Sequence, residues 1–102
     1  MFSRGLNVCT LAGNVIAIDT RTINPVEIVI NVDNKHEKNS FVVTIIVWND
    51  SLASHKVSYV EEGSLIIVTG SIEPLPYISE YDDQPYSGLQ LTAFDIFLDV
   101  NS

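Results

Sequence analysis

Positively charged residues are scarce in this sequence. Five of its 102 residues are Lys or Arg, against 13 Asp or Glu, and the formal net charge is −8. Contacts to nucleic-acid phosphates are normally made by Lys and Arg, which release counterions from the strand. The composition therefore argues against a protein that binds a polyanion through charge alone.

Other scarce features narrow the class of protein. Cys9 is the single cysteine, which rules out an internal disulfide and is typical of a reducing compartment. No apolar run approaches the roughly 20 residues of a membrane-spanning helix, and the N-terminus lacks the apolar segment of a secretory signal. With 46% hydrophobic residues the chain is not disordered. We expect one domain over residues 1–102, without a flexible tail after its last strand.

Runs of apolar residues, several of them alternating with polar ones, predict five β-strands. Their expected ranges are 8–18, 26–32, 41–48, 64–72 and 89–100. The third run is apolar almost throughout, which is typical of a strand buried on both faces. Polar residues at 33–40 predict the loop that joins the second strand to the third.

Two features predict irregular strand pairing. Gly13 lies inside the first strand, where a glycine indicates a bulge or a sharp bend. In the last strand the apolar face changes phase near Ala93, which indicates another bulge. Beyond that point the residues expected to face the core are Phe94, Ile96, Leu98 and Val100.

After Trp48 the apolar residues change to helical spacing, so we expect one helix before the fourth strand. Asp50 or Ser51 is suited to cap it, because their side-chain oxygens accept hydrogen bonds from backbone N–H groups. Gly63 is suited to end it by adopting the left-handed conformation. The apolar stripe of the helix is Leu52, Ala53, Val57 and Val60. Five strands with one helix between the third and the fourth fit a small Greek-key barrel, so the predicted fold class is all-β.

Two stretches of sequence point to a family. They read SRGLNVCTLAGN at residues 3–14 and SLASHKVSYVEEGSLIIVTGSI at residues 51–72. Through them the chain resembles the bacterial-type single-stranded DNA-binding proteins, including the primosomal protein N relatives, over nearly its whole length. The resemblance implies an OB-fold that binds single-stranded DNA without sequence preference, in DNA replication, recombination or repair. The composition, with frequent Asn and Ile and few Ala, is typical of an AT-rich bacterial or plastid genome, so we expect a location in the bacterial cytoplasm or nucleoid, or in the plastid stroma.

The resemblance also implies which aromatic residues stack on bases, an interaction that contributes about 1–3 kcal/mol per base. Trp48 ends the third strand, where the family carries a stacking aromatic. Tyr77 follows Gly70 by seven residues, where the family carries a tryptophan between the fourth and fifth strands. Phe41, at the start of the third strand, is a further candidate. The alternative interpretation is that Trp48 packs in the core or at an interface and that Tyr77 fills a subunit contact.

Candidate phosphate contacts are few. Arg21 lies in the first loop, and Lys35 and Lys38 lie in the second. The segment at residues 74–88, called the arm below, contains no Lys or Arg, although the family usually has basic residues there. The arm instead offers tyrosines and acids suited to a protein contact, namely Tyr81, Asp82, Asp83 and Tyr86.

Two hypotheses therefore stay open. In the first, the barrel binds single-stranded DNA as a homodimer or homotetramer. The contact between subunits would be the first strand or the apolar run at residues 45–47. In the second, an acidic OB-fold subunit has lost DNA binding and joins a larger complex through the arm. Neither requires an enzyme activity. The spacing of Cys9, His36 and His55 does not suit metal ligands, and we expect no cofactor.

Overall fold

The computed structural model describes residues 6–34, 39–73 and 89–98. Its elements follow the predicted order. They are β1 (Cys9–Asp19), β2 (Val26–Asn34), β3 (Asn39–Val47), a 3₁₀ helix (Leu52–Tyr59), β4 (Leu65–Ile72) and β5 (Gln90–Leu98). The strands close into a barrel in the order β1-β2-β3-β5-β4. The predicted five-stranded all-β barrel is confirmed.

β1 belongs to both sides of the barrel. Its first half, Cys9 to Asn14, pairs with β4, and its second half, Asn14 to Asp19, pairs with β2. The remaining contacts are antiparallel, apart from the parallel pairing of β3 with β5. Because one strand serves two neighbours in turn, the sheet curls back on itself without a sixth strand.

Aliphatic side chains that point into the barrel make the core. The fully buried ones include Ile28, Ile30, Val43, Ile45, Ile66, Val68, Leu91 and Ile96. Each contributes about 1.5–3 kcal/mol relative to an exposed position. β3 is buried on both faces from Val43 to Val47, as predicted. The proposed subunit contact at residues 45–47 is therefore wrong, because these side chains are enclosed within one copy of the chain.

The loop between β2 and β3 is shorter than predicted. Pairing continues from Val26↔Val47 to Asn34↔Asn39, so the strands take up half of the residues assigned to the loop. Strand pairing prevails over the polar composition here, because side chains on the outer face of a sheet are free to be polar. The connection at 35–38 lies outside the described residues.

The bulge expected at Gly13 lies elsewhere. The β1–β2 register slips between Val15 and Ala17, whereas Gly13 stays in regular pairing with β4. Glycine is needed at position 13 for space, since a Cβ atom would stand 2.6 Å from the carbonyl oxygen of Asn31. Close approach of two backbones is the other reason for glycine in a strand.

The bulge predicted near Ala93 is confirmed. Gly70 pairs with Ala93 and Thr69 with Asp95, which leaves Phe94 as the extra residue of β5. Phe94 was assigned to the core, and that assignment is wrong, since the residue is 46% exposed. The extra residue is left out of the pairing and turns away from the barrel.

The helix differs from its prediction in three respects. It is a 3₁₀ helix, and Ser51 makes no side-chain cap, because its hydroxyl donates to the Trp48 carbonyl at 2.7 Å. Leu52 is 64% exposed, whereas Ala53 and Val60 are buried as predicted.

Within the described residues, no helix has the length and apolar character needed to span a membrane.

Gly63 has the expected left-handed backbone, with φ of 91°, but it lies in the turn before β4 and not at the end of the helix. Its N–H donates to the Val15 carbonyl at 2.7 Å, and the Val15 N–H donates to the Ser64 carbonyl at 2.9 Å. These two bonds attach the turn to the middle of β1.

An ion pair attaches the helix to β5. Lys56 Nζ lies 2.9 Å from Asp95 Oδ1 and 4.7 Å from the centre of the Phe97 ring. The hydrogen bond from Lys56 lowers the pKa of Asp95, with a smaller contribution from the Ile96 N–H.

We predict that Gly70→Ala destabilises the fold more than Gly63→Ala does. A Cβ atom at position 70 would overlap the Thr92 carbonyl oxygen, whereas nothing lies within 4 Å of one at position 63. We expect losses in free energy of unfolding of about 3 kcal/mol at Gly70 from overlap, and about 1 kcal/mol at Gly63 from its backbone conformation. Urea unfolding of both variants measures the difference, and equal losses would contradict the register between β4 and β5.

We predict that Asp95→Asn costs about 0.5 kcal/mol at neutral pH, a value typical of a partly exposed ion pair. The pKa of Asp95 is lower in the folded protein than its ordinary 3.8, so the contribution is complete above that value and disappears as the pH falls through the folded pKa. Urea unfolding at neutral and at acidic pH measures the free energy of unfolding of variant and parent, which should become equal at acidic pH. In a Lys56→Met background the pH-dependent effect of the same substitution should shrink to the smaller contribution of the Ile96 N–H, and an undiminished effect would assign the contribution to a partner other than Lys56.

Candidate nucleic-acid interface

One end of the barrel brings together two of the predicted contact residues. Arg21 lies in the loop between β1 and β2, and Trp48 is the first residue after β3. The side-chain oxygen of Asn24, in the same loop as Arg21, accepts a hydrogen bond from the Asn49 N–H at 2.9 Å. Arg21 and Trp48 therefore lie on connections that are bonded to each other.

The backbone of Trp48 is held in place by Ser51. The Trp48 carbonyl accepts hydrogen bonds from the Ser51 N–H at 3.1 Å and from the Ser51 hydroxyl at 2.7 Å. The residue is partly buried. A fixed backbone and a partly accessible ring suit an aromatic side chain to stacking, since little conformational freedom is left to lose on binding.

Arg21 makes a two-pronged ion pair with Asp19. Its terminal nitrogen lies 2.6 Å from Asp19 Oδ2, and its Nε lies 3.0 Å from Oδ1. The side-chain hydrogen bond from Arg21 lowers the pKa of Asp19. The guanidinium already has a carboxylate partner, so a phosphate would have to compete with Asp19 for it.

The described residues contain two Lys or Arg, Arg21 and Lys56, against eight Asp or Glu. Both cations are paired with aspartates. Two glutamates also lie near the barrel's outer face: Glu27 is buried opposite Asp19, and Glu73 accepts a hydrogen bond from the Thr92 hydroxyl at 2.9 Å. The described surface therefore offers phosphates little net attraction.

Phe41 lies at the other end of β3. It is 40% exposed and pairs with Val32 near the start of the strand. Seven residues separate it from Trp48, which corresponds to about 23 Å along a strand. The two aromatic side chains cannot share one base, so they would contact different nucleotides of a bound strand.

The remaining sequence-predicted residues belong to the connection between β2 and β3 and to the arm. Lys35 and Lys38 lie outside the described residues, and so do Tyr77, Tyr81, Asp82, Asp83 and Tyr86 of the arm. The two flanks of the arm are described and lie together, because the Glu73 N–H donates to the Gln90 carbonyl at 3.0 Å. The described residues on either side of the arm, Glu73 and Gln90, therefore lie next to each other at one end of the β4–β5 pair.

The expectation about metals and cofactors concerns Cys9 and His55 among the described residues. Cys9 is partly buried in β1 and His55 is exposed on the helix. Over residues 6–34, 39–73 and 89–98, no group of three or more His, Cys, Asp or Glu side chains is arranged to hold a metal ion.

Sequence reasoning missed an open cleft between β1 and β2. The cleft has a volume of about 480 Å³. Its lining residues include Thr10, Asn14, Asn31, Val32 and Asp33. The available signal was the pair of asparagines at outward-facing positions of two strands, where β-propensity disfavours asparagine.

Comparisons with known proteins show the fold. No known family's sequence model and no curated protein sequence matches the chain. Among solved structures, the small single-stranded DNA-binding protein of Streptomyces coelicolor is similar at TM-score 0.66 and 15% identity, over 97% of each chain. The Saccharomyces cerevisiae mitochondrial single-stranded DNA-binding protein Rim1 gives 0.66 and 18%, over 92% of this chain and 95% of that one.

A Plasmodium falciparum single-stranded DNA-binding protein in complex with single-stranded DNA gives TM-score 0.59 at 16% identity, over 97% of this chain and 99% of that one. These identities are low, so the likeness concerns the path of the backbone and not the side chains of a site. The closed barrel with one short helix is the OB-fold of single-stranded DNA-binding proteins, as the sequence predicted.

Proposed function

We propose that this protein binds single-stranded DNA without sequence preference, by stacking bases on aromatic side chains of its OB barrel. The observation that carries the proposal is the barrel itself, which has the backbone of single-stranded DNA-binding proteins and leaves Trp48 and Phe41 partly accessible at the two ends of β3. Stacking tolerates any base, because every base has a π-face.

The electrostatics support binding that depends weakly on salt. Each phosphate contact by a Lys or Arg steepens the salt dependence of binding, and both described cations are shared with aspartates. Affinity would then come mostly from base stacking. Lys35, Lys38 and Tyr77 complete the proposed site on the family resemblance alone.

The proposal extends to assembly and setting. Exposed apolar side chains on β1, on β4 and just before β1 suit a contact between copies of the chain, and they are Ile16, Ile67 and Val8. A homodimer or homotetramer would place several stacking surfaces around one particle. The protein would act by protecting the strand in replication, recombination or repair, in a bacterial cell or a plastid, and no chemical step is needed.

A second function is favoured by the ion pairs. If Arg21 and Lys56 stay paired with their aspartates, the barrel would repel DNA and would serve as an acidic subunit of a larger complex. Its contact would then be the arm, through Tyr81, Asp82, Asp83 and Tyr86. The experiments below distinguish the two functions.

We predict that oligo-dT of about 35 nucleotides, which exceeds the site size of one OB barrel, binds and quenches tryptophan fluorescence. Trp48 is the single tryptophan, so the signal reports on that ring. Trp48→Ala should weaken binding about tenfold through the loss of one stacked base, and Trp48→Phe should retain most of the affinity. Fluorescence anisotropy of a labelled oligonucleotide measures all three proteins.

The opposite results have distinct meanings. No binding to the parent chain at low salt would contradict DNA binding and favour the acidic-subunit function. Unchanged DNA affinity in Trp48→Ala, together with a large drop in melting temperature, would assign Trp48 to packing.

We predict that Asp19→Asn raises DNA affinity about threefold, since it removes one negative charge and leaves the Arg21 guanidinium without that carboxylate partner. The slope of log affinity against log salt should also steepen by about one. Asp95→Asn is the matched control, because it makes the same chemical change beside Lys56. An equal gain in affinity and in slope for both variants would show an effect of net charge and would exclude a contact specific to Arg21.

A further inference from the structure

The cleft between β1 and β2 arises from the way β1 is shared. The two strands pair from Asp19↔Glu27 to Asn14↔Asn31, and the pairing ends there. Earlier residues of β1 follow β4, while β2 continues along β3 to Asn34. The strands therefore diverge beyond Asn14, and the space between them is the open volume of about 480 Å³.

Polar side chains line the two walls of this cleft. On β1 the outward positions are Thr10 and Asn14, and on β2 they are Asn31 and Asp33. Asn14 and Asn31 are direct cross-strand partners, which places their Cβ atoms about 5 Å apart. The floor is partly apolar, with Leu11, Val32 and the Gly13 backbone.

Three of these side chains have unused hydrogen-bonding groups. The Thr10 hydroxyl is bonded to the Thr69 hydroxyl at 3.3 Å. Within residues 6–34, 39–73 and 89–98, the side chains of Asn14, Asn31 and Asp33 make no hydrogen bond or ion pair. Two amides and a carboxylate thus face an open space above an apolar floor, which is the usual chemistry of a small-ligand site.

The volume and the donor set fit one planar heterocycle. The cleft is within the usual size range of ligand sites, about 300–1,000 Å³. Asparagine amides both donate and accept, so they suit the mixed edge of any base, whereas a carboxylate only accepts. Asp33 therefore selects bases that present an N–H₂ group, as carboxylates do with the cytosine amino group.

We propose that this cleft is a subsite for a single nucleobase bearing an exocyclic amino group, which adds a preference at one nucleotide to stacking that otherwise tolerates any base. The proposal rests on the DNA-binding function proposed above. The base would lie on Leu11 and Val32, with its polar edge toward Asn14 and Asn31 and its amino group donating to Asp33. Phe41, which pairs with Val32 across β2 and β3, lies on the neighbouring strand and would stack the adjacent nucleotide.

The experiment compares oligo-dC with oligo-dU of about 12 nucleotides, which is within the site size of one OB barrel. The two pyrimidines match in size, and cytosine has an amino group where uracil has a carbonyl. At mildly alkaline pH, where cytosine is neutral, oligo-dC should bind about fivefold tighter, as expected for one hydrogen bond of typical net strength at an open site. Asp33→Asn should bring the ratio of the two affinities close to one.

The ratio is the measured quantity because removing an acid raises the affinity for every strand. Asp50→Asn is the matched control: Asp50 is exposed, lies beside the 3₁₀ helix and is outside the cleft. This variant should leave the ratio unchanged. A ratio near one in the parent chain, or a preference that survives Asp33→Asn, would overturn the cleft proposal while leaving DNA binding intact.

A second measurement does not depend on binding to a long strand. In ¹⁵N-labelled protein, the side-chain NH₂ signals of Asn14 and Asn31 should shift on addition of deoxycytidine monophosphate, and much less with deoxyuridine monophosphate. Shifts confined to Trp48 would overturn the proposal. If an extended segment of a second copy occupies the cleft, the signals will follow protein concentration and not nucleotide, which would also overturn it. Failure of every oligonucleotide to bind would instead contradict the DNA-binding function on which this site rests.

Discussion

The architecture depends on one contact, the close approach of β1 and β2 at Gly13 and Asn31. The missing side chain at Gly13 lets the β2 backbone pass at a distance that no Cβ would allow. From that point β1 leaves one neighbour for the other, and the barrel closes. The slip in register after Val15 and the anchoring of the Gly63 turn on Val15 follow immediately along the same strand.

Charge is the second constraint on this barrel. An OB-fold related in shape to single-stranded DNA-binding proteins carries a formal charge of −8, and its two described cations are held by aspartates. Such pairs on a protein surface contribute little to stability, about 0–1 kcal/mol. Their larger effect is on the local potential, because each one replaces a positive site by a nearly neutral one. Under the proposed function, ring stacking is the contribution to nucleic-acid affinity that this arrangement would leave undiminished.

The number, order and type of the elements could be predicted from the sequence, because alternation of apolar residues and a change to helical spacing are local signals. The phase slip near Ala93 even located a bulge. Which side chains pack in the core was harder to predict. Phe94 shares the alternation of Ile96 and Leu98, and only the pairing of Gly70 with Ala93 excludes it from the core. The length of the β2–β3 hairpin was underestimated for a similar reason, since polar outward positions look like a loop.

The candidate site was less predictable than the fold. Trp48 and Arg21 were proposed separately, and the Asn24–Asn49 hydrogen bond that joins their loops connects residues distant in sequence. The ion pair of Arg21 with Asp19 is short-range and could have been anticipated from their spacing. The cleft could not be anticipated, because it is the gap between two strands that stop pairing. No single run of residues in the sequence predicts where two strands diverge.

The position of the two accessible aromatic side chains at opposite ends of β3 has a directional consequence. A nucleic-acid strand that touches both must span about 23 Å, or about seven nucleotides at the 3.4 Å spacing of stacked bases, and it cannot rest on β3 between them, because residues 43–47 are buried on both faces. The ends are chemically different: Trp48 has Arg21 and the helix beside it, whereas Phe41 is near the cleft and its asparagines. A strand with distinct 5′ and 3′ ends therefore meets two unlike termini, and its two possible orientations on the barrel differ in energy.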